Sequence, residues 1–286
     1  MKITNALTVD VEDYFQVSAF EHSIQRSDWD SLEHRIAQNM SRVLQLFSDQ
    51  EIKATFFMLG WIAERYPSMV SDIINQGHEL ASHGHGHQRV SDLTKEEFRQ
   101  DIIRAKGTLE DLSGIPIRGY RAPSYSIGES SIWALDILVN AGYVYSSSIY
   151  PVKHDHYGFP KAPRFAFRDI KSGIVEVPIT TVKVINKTIP AGGGGFFRFY
   201  PYPLSRWIIN RVNTLDRQPV VFYFHPWELD PDQPRQTNIS LKTRFRHYLN
   251  LDKTESRLEL LIDDFNWGRL DDVFVNGREI PDYPLT

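Results

Sequence analysis

The chain has 286 residues, 41% hydrophobic, 13% aromatic and 24% charged, which is enough for one large core or two small ones and excludes a disordered or collagen-like chain. Thirty-two Lys and Arg against 36 Asp and Glu leave a net charge of -4 with no long basic run, which argues against a dedicated nucleic-acid or anionic-membrane surface. There is no cysteine, so disulfides, thiolate nucleophiles and Cys-type zinc sites are excluded, and any metal must be held by His and carboxylate.

The first ten residues, Met1 to Asp10, lack the apolar stretch of a secretory signal and read as a first strand, Ile3 to Val9, of a cytoplasmic chain. A helix follows from about Ser31, with Leu32, Ile36, Val43, Leu44 and Phe47 on one stripe, and then a strand from Ala54 to Leu59. The rhythm continues with a helix over Ala63 to Gln76 stopped by Gly77, a short strand into Leu80, and a helix opened by the capping box Thr94-Lys95-Glu96-Glu97. A helix near Ser131 to Asn140 and strands at Tyr143 to Ser147, Ile174 to Val177 and Val220 to Phe224 complete the pattern. Between them lie an irregular stretch from Pro151 to Arg168 and a glycine run, Ala191 to Gly195, that reads as a flexible turn. No apolar run approaches the roughly 18 residues needed to span a bilayer. Alternating β and α units predict a parallel sheet in a closed or nearly closed barrel, with chemistry at the carboxyl ends of the strands. The last sixty or so residues differ: Leu258, Leu261, Ile262 and Phe265 at helical spacing predict a terminal helical extension packed on the barrel.

Four of the ten histidines, His78, His83, His85 and His87, fall within ten residues. His83 and His87 are four apart, a spacing that brings two imidazoles to one face of a helical turn and hence to one metal. His85 is out of phase, as a supporting or solvent-facing residue would be. The first strand ends in Asp10-Val11-Glu12-Asp13, three mutually repelling carboxylates that are tolerated best around a cation or an arginine. On a continuing strand Asp10 and Glu12 share a face and Asp13 points the other way, which favours Asp10 with Glu12. Two further segments carry polar groups in loops or at strand ends: Tyr120-Arg121-Ala122-Pro123-Ser124, and Phe222 to Trp227, where His225 ends an apolar strand.

In chain order these pieces resemble the polysaccharide deacetylase (NodB homology, carbohydrate esterase family 4) pattern: an acidic motif, His-x-x-x-His, Arg-x-Pro and a late strand ending in His. The resemblance covers about residues 3–230 and implies a distorted (β/α) barrel of that type at 1–230, followed by an extension at 231–286. Leu7 to Phe15, Phe224 to Glu228 and Arg246 to Asn250 are similar to the subgroup linked to exosortase-type exopolysaccharide gene clusters. The resemblance implies Asp10 as general base, His83 and His87 as metal ligands, Arg121 as the residue orienting the base, and His225 as general acid. The metal carboxylate falls to Glu12, or to Asp13 if the strand ends early. The stretch that in the family supplies an aspartate to support the acid histidine reads here Tyr145 to Pro151, without a carboxylate.

Two histidines and a carboxylate suit a divalent metal, Zn²⁺ above all, polarising an acetamide carbonyl. The expected substrate is an acetylated amino-sugar polymer or oligomer, and the expected activity hydrolysis of its linear amide. A backbone N–H after Pro123, such as that of Tyr125, would hold the oxyanion, and Tyr125, Trp227 and Tyr150 would line a sugar groove. The rivals are an allantoinase-like or cyclic-imide hydrolase on the same scaffold and a non-catalytic carbohydrate-binding component of a polysaccharide assembly complex.

Overall fold

The computed structural model describes residues 3–153, 158–185 and 187–285, so the first two residues of the chain and part of the irregular stretch after Pro151 lie outside it. Its strands are β1 (Thr4–Val11), β2 (Thr55–Met58), β3 (Glu79–Ser82), β4 (Gly119–Tyr120), β5 (Tyr145–Ser146), β6 (Phe167–Asp169), β7 (Val175–Glu176), β8 (Thr181–Val184), β9 (Lys187–Pro190), β10 (Val221–Phe224), β11 (Asn266–Gly268) and β12 (Asp282–Tyr283). The helices are α1 (Ile36–Asp49), α2 (Gly60–Arg65), α3 (Pro67–Asn75), α4 (Lys95–Ser113), α5 (Ala134–Asn140), α6 (Gly194–Phe199), α7 (Tyr202–Arg211), α8 (Leu241–Tyr248) and α9 (Thr254–Asp264).

The central sheet runs β10-β1-β2-β3-β4-β5-β7-β6-β12, parallel from β10 through β7, with β11 also pairing β1. Seven of the eight β1 residues are buried, as in a strand covered on both faces. The sheet curls into a nearly closed barrel whose last gap, between β7 and β10, is filled by irregular backbone: Ala191 N–H reaches Thr180 C=O at 3.1 Å and Tyr223 N–H reaches Gly192 C=O at 2.7 Å.

Local chemistry sets the element ends. The Asp13 carboxylate accepts the N–H groups of Arg35 at 2.7 Å and Ile36 at 2.9 Å, so α1 begins there rather than at Ser31. The single helix expected over 63–76 is two, because Pro67 lacks an N–H and disfavours the helical conformation at Tyr66, which sits at φ -128°, ψ 61°. The Thr94 capping box opens α4 as expected.

The glycine run is not a flexible turn. Residues 191–194 are buried, and Gly193 forms a parallel bridge with Tyr223. A Cβ on Gly193 would lie 2.0 Å from Tyr223 O at a φ of +120°, and one on Gly192 would lie 2.4 Å from Ile179 Cγ2. Glycine is therefore required for two backbones to meet where the barrel closes. Gly193→Ala is expected to destabilise the protein by about 3 kcal/mol or more, since backbone rather than a rotatable side chain must move; urea unfolding measures it, and an unchanged midpoint would contradict the close approach.

The carboxyl-terminal region is not only helical. Leu258, Leu261 and Ile262 of α9 are buried as expected, but the chain then adds β11 to β1 and β12 to β6. Residues 271–275 form a wide turn under the barrel, where Asp271 N–H and the Tyr145 and Thr55 hydroxyls all donate to buried Glu79. Burial and the nearby Asp271 charge push the Glu79 carboxyl up to about 7. No helix among the described residues is long and apolar enough to cross a membrane.

Candidate active site

Five polar residues converge because parallel strands end side by side. Asp10 is the penultimate residue of β1 and Glu12 lies just beyond it; His83 follows β3, Arg121 follows β4 and His225 follows β10. All lie on the carboxyl-end face of neighbouring strands, where such barrels place their chemistry.

Glu12, His83 and His87 are buried, and one ligand atom from each lies within 4.8 Å of the others. His83 Nδ1 donates to Arg121 C=O at 2.9 Å, which leaves the Nε2 lone pair free. His87 Nε2 stands 2.7 Å from Glu12 Oε2, yet that buried oxygen has no hydrogen bond of acceptable geometry. Unprotonated nitrogen and an orphaned carboxylate oxygen aimed at one point are what a divalent cation would satisfy. Burial alone would raise the Glu12 carboxyl, but the neighbouring imidazoles of His87 and His225 outweigh it and hold it at about 2. Burial pushes His83 down to about 4, which keeps it neutral and able to ligate.

His83 and His87 do not meet on a helical turn. The loop reverses through Gly84 at φ +76° and His87 at φ +51°, folded around the Asp101 carboxylate of α4, which accepts the N–H groups of His85 and Gly86 at 3.0 and 3.2 Å. Arg26 holds the other side, donating to Gly86 C=O at 2.8 Å and His87 C=O at 3.1 Å. His85 points away to Glu64 at 3.0 Å, and His78 lies under the sheet against Phe47 and Phe56.

Asp13 stands apart from the trio, because its carboxylate is taken up by the N–H groups of Tyr14, Arg35 and Ile36. Although β1 ends at Val11, Glu12 still turns toward the histidines, and Trp227 Nε1 donates to its Oε1 at 3.4 Å.

Arg121 is fully buried. It donates to Asp10 Oδ1 at 2.6 Å, to Thr8 Oγ1 at 2.8 Å and to Ser147 Oγ at 3.0 Å, while Tyr125 OH reaches Asp10 Oδ2 at 3.3 Å. The Asp10 carboxylate is thus fixed in orientation on one edge by a guanidinium.

His225 turns Nε2 toward Glu12 Oε1 at 3.2 Å and Asp10 Oδ2 at 4.0 Å. Its Nδ1–H donates to Glu228 Oε1 at 2.7 Å, and Arg198 Nε donates to Glu228 Oε2 at 2.5 Å. The carboxylate missing from Tyr145 to Pro151 is therefore supplied from three residues downstream of the histidine. The visible signal was the His-Pro-Trp-Glu spacing, which closes a capping box from Glu228 back onto His225 N–H. Burial would lower His225, but Glu12, Glu228 and Asp10 outweigh it and raise it to about 9; Arg198 and His225 hold Glu228 at about 2 against the effect of its burial.

The sugar-groove expectation is corrected. Trp227 is 4% exposed and stacked between His225, at 5.2 Å, and His247, at 4.3 Å, so both indole faces are covered. Tyr125 and Tyr150 are buried against each other, and Tyr125 N–H is spent on Ala122 C=O at 3.0 Å, which removes it as an oxyanion donor. Trp227 and Tyr125 instead turn their polar atoms to Glu12 and Asp10.

Residues 28–146 match the polysaccharide deacetylase family and residues 147–275 a domain of unknown function, DUF3473, so the histidine loop and Arg121 lie in the first match and His225, Glu228 and His247 in the second. A peptidoglycan-N-acetylglucosamine deacetylase from Bacillus cereus is 32% identical over 96 residues, 33% of this chain and 35% of that protein. A chitooligosaccharide deacetylase from Sinorhizobium fredii is 28% identical over 104 residues, 35% of this chain and 46% of that protein. The match thus spans less than half the length of either relative. A polysaccharide deacetylase-type crystal structure from Mycobacterium smegmatis superimposes with a TM-score of 0.61 over 95% of this chain and 88% of that one at 16% identity, which shows the shared fold. The chain therefore carries a polysaccharide deacetylase match over residues 28–146, continued without a gap by a DUF3473 match over residues 147–275, on a fold shared with polysaccharide deacetylases.

Proposed function

We propose that this chain hydrolyses N-acetyl groups from the amino sugars of a polysaccharide or its precursor, in exopolysaccharide biosynthesis, with a divalent metal as cofactor. The observation that carries the reading is the convergence of Glu12, His83 and His87 beside two oriented proton carriers, Asp10 held by Arg121 and His225 held by Glu228. Residues 1–230 form the catalytic barrel in this reading, and 231–286 an extension that backs the site through His247.

Glu12, His83 and His87 would hold the metal, and Zn²⁺ suits two imidazoles and one carboxylate best. When bound, it polarises the acetyl carbonyl and acidifies water. Asp10 accepts the proton of the water whose oxygen adds to the acetyl carbon, and Arg121 keeps the carboxylate aimed until then. His225 gives its Nε2 proton to the departing nitrogen as the C–N bond breaks, leaving acetate and a free amine. Glu228 fixes the ring so that Nε2 faces the reaction, and Arg198 keeps Glu228 charged.

An acetate-release screen on N-acetylated amino-sugar oligomers, run beside small cyclic amides, tests the reading. Acetate from the sugars supports it; ring opening of the cyclic amides alone transfers the site to the cyclic-imide hydrolase reading. Glu228→Gln is expected to lower kcat at least about tenfold with KM and bound metal unchanged, because the carboxylate orients a proton donor rather than binding substrate or metal. A rise in KM with kcat unchanged would refute the orienting role.

A further inference from the structure

The average charge hides a segment of opposite character. Residues 177–215 contain no Asp or Glu but five cations, Lys183, Lys187, Arg198, Arg206 and Arg211, in a chain that is acidic as a whole. Arg198 is buried on Glu228 and Arg206 is paired with Asp264, so Lys183, Lys187 and Arg211 are left to the outer surface. The same segment carries an unusual set of exposed apolar side chains. Leu204, Trp207 and Leu215 are 40%, 47% and 65% exposed, and Ile185, at the tip of the β8–β9 hairpin, is 92% exposed.

These residues form one face. Leu204, Trp207, Arg211 and Leu215 follow one another at helical spacing along α7 and its final turn, so they make a single stripe. The hairpin is tied alongside it. Arg211 donates to Lys183 C=O at 3.4 Å and lies 5.7 Å from the Trp207 ring, while Arg164 joins Thr181 C=O at 2.7 Å to Asp216 at 3.0 Å. Asp216, the first acid after the segment, is thereby neutralised.

An apolar stripe with tryptophan at its centre, flanked by lysines and with its neighbouring acids Asp216 and Asp264 each paired to an arginine, has the chemistry of an interfacial membrane anchor: aromatic and aliphatic groups for the headgroup boundary, cations for anionic lipid. We infer that the α7 stripe and the β8–β9 hairpin dock this protein on an anionic phospholipid surface. A neutral apolar partner would not require a segment of 39 residues with cations and no acid of its own, and a soluble polyanion would not require exposed Leu204, Leu215 and Ile185. Asn213, in the turn that carries Leu215, donates to Asn5 near the amino end of β1 at 2.8 Å, opposite the carboxyl ends that hold the site, so the inference stands whatever the enzyme's substrate is.

Co-sedimentation of the full chain with vesicles tests it, using phosphatidylcholine alone and phosphatidylcholine with 30–40% phosphatidylglycerol. Binding to the anionic vesicles is expected, weakened at high salt. Lys183→Glu with Lys187→Glu is expected to lower partitioning more than tenfold, at about fivefold for each cation lost near an anionic surface. Trp207→Ser with Leu215→Ser is expected to lower it even at low salt, and circular dichroism checks that both variants remain folded. No binding to anionic vesicles, or binding that both variants leave unchanged, overturns the inference. So does a concentration-dependent dimer that the Trp207→Ser, Leu215→Ser variant abolishes while vesicle binding is absent, because the face would then be a contact between two copies.

Discussion

Protein carrying both His83→Ala and His87→Ala is expected to purify without stoichiometric divalent metal and to lose at least about 10³-fold of its turnover, since the Lewis acid supplies several kcal/mol of the barrier reduction. Among the described residues the nearby alternatives are taken up elsewhere: Asp13 by the start of α1, His85 by Glu64, Asp10 by Arg121 and His225 Nδ1 by Glu228. The ring contact between His83 and His87, with centroids 5.4 Å apart, disappears with the substitution, so circular dichroism must confirm the fold. Metal analysis by mass spectrometry provides the readout. Unchanged stoichiometry in the double variant would remove these histidines from the site, and loss of metal in Asp13→Asn but not in Glu12→Gln would reverse the choice of carboxylate.

The second large effect concerns Asp10. Asp10→Asn is expected to reduce kcat by about 10²–10⁴-fold while the metal stays bound, because the water then lacks its proton acceptor. It should also cost stability. Arg121 is wholly buried and Asp10 is its ionic partner, so the neutral amide leaves a guanidinium uncompensated in the barrel, an effect of about 3–5 kcal/mol when such pairs are broken. Arg121→Gln alone should likewise destabilise the fold, and the Asp10→Asn, Arg121→Gln double variant should recover part of the loss. Kinetics and urea midpoints measured together distinguish the two consequences. Full activity in Asp10→Asn would exclude it as the base, and strictly additive stability losses would deny the pair.

The central strands and the Thr94-capped helix are legible because each rests on a local signal, an apolar run or a capping box; Arg121 and His225 are weak signals alone, and Asp10, Glu12, His83, His87, Arg121 and His225 stand out as a set only through their order along the chain, which the fold brings to one place. What sequence did not show depends on contacts distant in the chain. The start of α1 is set by Asp13, more than twenty residues upstream. The histidine loop takes its shape from Asp101 and Arg26, so His-x-x-x-His reads as a helical pair in sequence and is a tight reversal in space. The glycine run has the composition of a flexible loop, and only its meeting with Tyr223 shows that it closes the barrel. Trp227 has the composition of a sugar platform but is covered on both faces by His225 and His247, twenty residues later. Glu228 is the instructive case. A motif expected near Ser146 was absent, and its role passes to a carboxylate that reaches His225 through a one-turn cap and is held by Arg198 from another helix.

The most direct measurement is acetate release from a soluble N-acetylglucosamine oligomer by the purified protein before chelation, after chelation, and after Zn²⁺ is returned, with bound metal quantified at each stage. The expected result is release that falls to background when the metal is stripped and returns in proportion to one equivalent of Zn²⁺ per chain. Release that continues unchanged in metal-free protein, or no release from any acetylated amino sugar by protein carrying one metal per chain, would contradict it.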